Sequence, residues 1–311
     1  MVRVVHFRTP EELVHAVRDA SGYPAGRLVA RERYTASPAQ GSRQPIIRYP
    51  PGRGREPRGI GPCARVVAVE RTDQVTAIAS DGAALAGTAA TALDRPIPSC
   101  PDWDMAKLVL HVGLVHTWAA ESVRRRAAEG IDRSTLPRAP EGAARVAWLN
   151  AATASLIEAL AVAADDDPAG VWRDRPVTAA FWRRRMAHET AVHRWDAQSA
   201  VGRPDPVTAP LAADGIAEVV ELLLPLAVPE PRTGHALGTL HLHCTDTTGE
   251  WLLSMPDGRL EVTPGHAKGD AALRGEASEL FLTCWGRRSG SGPEILGDKA
   301  VAQAWLALMG W

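Results

Sequence analysis

The run Arg185-Met186-Ala187-His188-Glu189-Thr190-Ala191-Val192-His193-Arg194-Trp195-Asp196-Ala197 sets imidazoles around a carboxylate, a donor set suited to a divalent metal. The metalloprotease signature HExxH spaces its histidines four apart, whereas His188 and His193 are five apart. At about 100° per residue they diverge by about 140° around a helix, so they cannot grip one ion from one face. Glu189 and His193 are separated by only about 40° and suit the same ion. A third ligand has to come from another helix. His111, in Leu108-Val109-Leu110-His111-Val112-Gly113, lies on an apolar stripe, and Gly113 permits close backbone approach. Two His and one Glu from two helices leave a fourth position open, the arrangement of a catalytic zinc rather than a structural one. Each signal alone is weak: a His on an apolar face is more often a hydrogen-bonded core residue, and a Glu–His pair four apart is more often a surface pair.

Positioning these residues calls for helices, and the hydrophobic period supplies four. They are expected at about Asp73 to Leu93, Met105 to Glu129, Gly142 to Ala164 and Thr178 to Val201. Asp104 is placed to cap the second helix with Trp103 as its staple, and Gly202 followed by Pro204 to end the fourth. A further helix, Pro210 to Ala227, follows as a bridge. After Pro231 the period changes to 2.0: Gly238 to Thr245, Trp251 to Met255, Leu260 to Val262 and Asp270 to Arg274 read as strands, with helices at Ala277 to Trp285 and Asp298 to Gly310. The predicted fold class is α+β, a four-helix bundle over residues 67–230 followed by a small α+β domain over 231–311.

Composition bounds the rest. Apolar residues make up 45% and charged residues 23% of the 311, ordinary globular values. The net charge of -1 hides an asymmetry, because residues 1–66 hold twelve Arg against five acidic residues, leaving -8 for the remainder. The folded part is therefore not expected to bind nucleic acid. With fourteen Gly or Pro between Gly22 and Pro62, residues 1–66 are expected to form a disordered basic tail, with a short helix around Pro10 to Ala20. Cys63, Cys100, Cys244 and Cys284 contain no CxxC pair, so reduced and mostly buried thiols are expected. No apolar run reaches membrane-spanning length and no signal-peptide core follows Met1, so a cytoplasmic protein without a membrane span is expected.

The fourth-helix run, together with Pro98-Ser99-Cys100-Pro101-Asp102-Trp103, Leu108 to Val112, Leu273-Arg274-Gly275-Glu276-Ala277-Ser278-Glu279-Leu280 and Trp285-Gly286-Arg287-Arg288, resembles the mycothiol-dependent maleylpyruvate isomerase family of actinobacteria. The resemblance covers about residues 70–311. It implies a DinB-like bundle that binds Zn2+, or another divalent metal, through His111, Glu189 and His193, with the C-terminal domain closing over the site.

It also implies chemistry. The thiol of mycothiol, activated by the metal, adds to the cis double bond of maleylpyruvate, and rotation and expulsion give the trans product. A C-terminal arginine steadies the substrate's charge, and Arg287 is the nearest match; a solvated helix end is the alternative. Asp196, one turn beyond His193, can orient a ligand or the thiol cofactor, or be a helix-surface carboxylate. The expectation is an enzyme acting as an isomerase or thiol S-transferase on a small electrophile, a monomer or small homo-oligomer. The alternative is a non-catalytic DinB-like metal-binding or regulatory module. His188, His241, His243 and His266 carry no expected role. His241 and His243 alternate onto one strand face, where exposed polar positions are the expected reading and metal binding the alternative; no second metal cluster is expected, and so one metal ion per chain.

Overall fold

The computed structural model describes residues 69–228, 237–287 and 292–309. The tail expected over 1–66, its short helix, Cys63 and Arg288 lie outside the described residues.

Helices α1 (Arg71–Ala89), α2 (Met105–Arg125), α3 (Ala144–Val162) and α4 (Ala179–Ala200) form the bundle. The Asp104 carboxylate accepts the Lys107 N–H at 2.7 Å and fixes the start of α2, with Trp103 buried beside it. Arg126, at φ 47°, ends the same helix short of the expected Glu129. Close approach of α2 to α3 depends on Gly113, where a Cβ would lie 2.2 Å from the Trp148 ring.

From its sequence α4 reads as amphipathic, yet every residue from Arg185 to Gln198 is buried. Charges buried on all sides require partners. Arg194 reaches Asp81 on α1 at 3.2 Å, while Arg184 and Arg185 turn to acidic groups beyond the bundle. Between α3 and α4 lies an unexpected antiparallel hairpin, β1 (Pro168–Trp172) and β2 (Arg175–Thr178). Its turn residues Arg173 and Asp174 take φ 47° and 61°, where Gly or Asn is the usual signal.

After α4 come α5 (Ala209–Glu218), a π turn at Val219–Leu223, and α6 (Leu224–Ala227). Pro225 has no N–H to donate, and the helix widens just before it. Strands β3 (Leu240–Cys244), β4 (Glu250–Ser254), β5 (Glu261–Pro264), β6 (Ala271–Gly275) and β7 (Glu294–Gly297) form a sheet in the order β5-β4-β3-β6-β7. Every pairing is antiparallel except β3 with β6. Strand β7 was not foreseen. Helices α7 (Ala277–Cys284) and α8 (Lys299–Met309) complete the α+β part.

Leu240, Leu242, Leu253 and Leu273 face Phe281 and Trp305 in one apolar cluster that continues through Ile216 to Met186 and Leu156 of the bundle. The two parts therefore share a core. Gly215 seats α5 directly on α7, since a Cβ there would meet the Phe281 ring at 2.3 Å. The helix expected as a bridge inside the 67–230 unit thus packs against the C-terminal elements. Cys100, Cys244 and Cys284 are buried, and burial pushes the first thiol up to about 11 and the other two to about 12. Among the described residues no helix is long and apolar enough to cross a membrane.

Candidate metal centre and its supporting network

The bundle brings His111 of α2 onto Glu189 and His193 of α4. His111 Nε2 lies 2.8 Å from Glu189 Oε1, and His193 Nε2 lies 3.3 Å from the same oxygen. One ligand atom from each residue falls within 4.8 Å of the others, and no fourth His, Cys, Asp or Glu among the described residues joins them. The two imidazoles meet edge to face at 4.9 Å, and the Trp103 indole lies 5.2 Å from one and 6.2 Å from the other. All three candidate ligands are buried, at 5%, 8% and 3% exposure.

Asp196 sets the outer edge of His193. Its Oδ2 accepts from His193 Nδ1 at 2.9 Å, which leaves the Nε2 lone pair facing Glu189 Oε1. Two acceptors at that distance need a proton or a cation between them, so the donor set fits a divalent ion. Burial disfavours charge on His193, but Asp196 and Glu189 outweigh it and raise its pKa. His111 lies below the ordinary histidine range because burial dominates there. Burial also works against the Glu189 carboxylate, yet Arg185, His111 and His193 hold it well below its usual value.

Asp196 is in turn gripped from the C-terminal domain. Arg287 gives Nε to Oδ1 at 3.1 Å and Nη2 to Oδ2 at 2.8 Å, while its Nη1 donates to the Trp285 carbonyl at 2.7 Å. The Ser99 hydroxyl donates to Asp196 Oδ1 as well. The arginine expected to face a substrate thus faces Asp196, and Asp196 orients a candidate ligand. Burial opposes the Asp196 charge, but Arg287 and His193 pull its pKa well below the ordinary carboxylate value.

Arg185 was missed by the sequence reading. Its guanidinium bonds Glu189 Oε2 on one side and Glu218 of α5, at 2.9 Å, on the other. The available signal was its position one helical turn before Glu189. His188, on the other face as its spacing requires, sits 2.9 Å from Glu218 and 3.0 Å from Asp214. His116, also missed, is fully buried between the hydroxyls of Thr153 and Thr190, at 3.0 and 2.9 Å. The expectation of a single candidate ligand set is corrected: His241, His243, Glu250 and His266 form a second group. Backbone alternation was visible in the sequence, but the return of residue 266 over that face was not.

Residues 75–198 match the family model described as the mycothiol maleylpyruvate isomerase N-terminal domain, and residues 210–304 match its C-terminal domain. Among solved structures, the fold resembles a crystal structure of the mycothiol-dependent maleylpyruvate isomerase with a TM-score of 0.52 and 12% identity over 74% of this chain and 94% of that one. A His→Ala mutant of such an isomerase gives 0.54 at the same identity and coverage. No curated protein matches the sequence significantly. The paired domain matches, in the order bundle then sheet, show that the chain belongs to the mycothiol-dependent maleylpyruvate isomerase family.

Proposed function

We propose that the chain is a metal-dependent, mycothiol-using isomerase or thiol S-transferase acting on a small electrophile, with His111, Glu189 and His193 as ligands to Zn2+ or another divalent ion. The observation that carries this reading is the three-residue donor set itself. Three protein ligands with no fourth among the described residues match the open coordination of a catalytic ion. A divalent ion held by these three residues would lower the pKa of mycothiol's thiol and so make its sulfur nucleophilic at neutral pH.

The chain's own residues prepare that site. Glu189, kept ionised by Arg185, contributes the negative charge of the ligand set. Asp196 holds His193 in the tautomer that turns Nε2 inward. Arg287 acts as a positioning residue, fixing Asp196 from the second domain. Burial of the ligands, with Trp103 packed on both imidazoles, limits water around the reacting groups.

The test is incubation of the purified full chain with Zn2+, mycothiol and a panel of electrophiles that includes maleylpyruvate. Mycothiol-dependent turnover that disappears in Glu189→Gln is the expected result. Stoichiometric metal without turnover of any thiol and electrophile pair would return the chain to a non-catalytic metal-binding module.

A further inference from the structure

On the sheet face opposite α7 and α8, three histidines close around one carboxylate. His241 and His243 are two apart on β3 and project to the same side. Glu250 on β4 stands directly across from His243 in the antiparallel ladder. Gly265, at φ 107°, takes a backbone conformation that favours glycine and turns the chain after β5. His266 follows it and comes over the same face. His241 Nε2, His243 Nδ1 and His266 Nδ1 lie 3.0, 3.1 and 2.7 Å from a single atom, Glu250 Oε2.

Hydrogen bonding does not account for this convergence. One carboxylate oxygen offers two lone pairs, and three ring nitrogens are aimed at it. His241 Nε2 is buried and has no aligned hydrogen-bond partner despite its 3.0 Å contact. The three rings stand nearly perpendicular to one another, at 82° to 87°, with centroids 5.4 to 6.1 Å apart. Imidazole nitrogens so placed surround a point rather than stack. One ligand atom from each of the four residues lies within 4.8 Å of the other three.

We infer that His241, His243, Glu250 and His266 form a second metal site, distinct from the His111 group and specific for a borderline divalent transition ion such as Zn2+ or Co2+. Three imidazoles and one carboxylate suit such ions and not Ca2+ or Mg2+, which take oxygen ligands. Four protein ligands complete a tetrahedron, so the ion here is structural. It ties the segment after the edge strand β5 to the centre of the sheet. Access is open, because the His266 side chain is 78% exposed.

The experiment uses tag-free full-length chain, stripped with a chelator and titrated with Co2+ or Zn2+ alone. The wild type should bind two equivalents. His111→Ala should bind one and keep the intense visible absorption of tetrahedral Co2+. The double variant His243→Ala/His266→Ala should also bind one, and should lose that absorption once His111→Ala is added. Zn2+ should raise the thermal midpoint of His111→Ala but not of the triple variant. Both exchanged histidines lie on the solvent side, and a far-ultraviolet spectrum checks that each variant folds. A His111→Ala protein that binds no Co2+ overturns the inference, as does a double variant that still binds two equivalents. Because the His111→Ala background reads the second site alone, these outcomes are independent of whether the chain turns over any thiol.

Discussion

Arg287 of the C-terminal domain closes a two-pronged ion pair on Asp196 of the bundle, and one oxygen of that pair, Asp196 Oδ2, also holds His193. The two side chains are 4% and 0% exposed, so neither charge can turn to water when the other is removed. Arg287→Ala should therefore destabilise the chain by about 3–5 kcal/mol, the cost of removing one partner of a buried ion pair, with His193 and Ser99 the partners Asp196 keeps. Adding Asp196→Asn to that variant should recover part of the loss, and chemical unfolding of the two singles and the double measures the coupling. Additive effects would show that the pair is not coupled.

Asp196→Asn alone tests orientation. The variant should bind Zn2+ at the His111 site about 10–100-fold more weakly while keeping its fold, as expected when the partner of a ligand histidine is lost. Competition against a chromophoric chelator, in the His243→Ala/His266→Ala background, isolates that site. Unchanged affinity would remove Asp196 from the ligand-orienting role.

Elemental analysis of His111→Ala and of Glu189→Ala should each show one equivalent fewer than the wild type. If both variants keep the full complement, the ligand assignment fails.

The helix contacts make a packing prediction. Gly113→Ala places a methyl 2.2 Å from the Trp148 ring, and α2 and α3 have to part to admit it. A loss of about 1–3 kcal/mol in urea unfolding is expected. A neutral outcome would mean that Trp148 swings aside at little cost.

Acid stability should depend on Asp214. Burial raises its pKa, but the hydrogen bond and charge of His188 and the charge of Arg184 outweigh this and bring it down to about 2. A folded pKa below the unfolded one gives stabilisation that is present above the unfolded value, about 3.9. That stabilisation is lost as pH falls toward about 2. Linkage puts it at about 2 kcal/mol, and Asp214→Asn should flatten the stability curve between about pH 4 and pH 2. An unchanged slope would show that other carboxylates carry the acid limb.

The convergence of His111, Glu189 and His193 was legible because helical geometry is local: Glu189 and His193 lie four positions apart, and an apolar stripe marks the inner face that carries His111. The helix start at Asp104 and the close approach at Gly113 were readable for the same reason. The orientation of Arg287 was not. A loose match to a family pattern says that an arginine stands near the site, whereas its partner depends on how two domains dock. The hairpin before α4 escaped because Arg173 and Asp174 adopt left-handed backbone without a glycine. The histidine cluster on the sheet escaped because it joins residues of β3 and β4 to one beyond β5, a contact that strand periodicity alone does not reveal.

The burial of α4 on every side limits how these domains can be recombined. A hybrid protein that kept this bundle and took its C-terminal half from another member would retain His111, Glu189 and His193. Unless the incoming half brought counterparts of Glu218, Asp214 and Arg287, Arg184, Arg185, His188 and Asp196 would each lose buried partners in the seam. The two halves are separate folding motifs by topology but one inheritance unit by charge, and domain swaps should succeed only when both sides of that seam travel together.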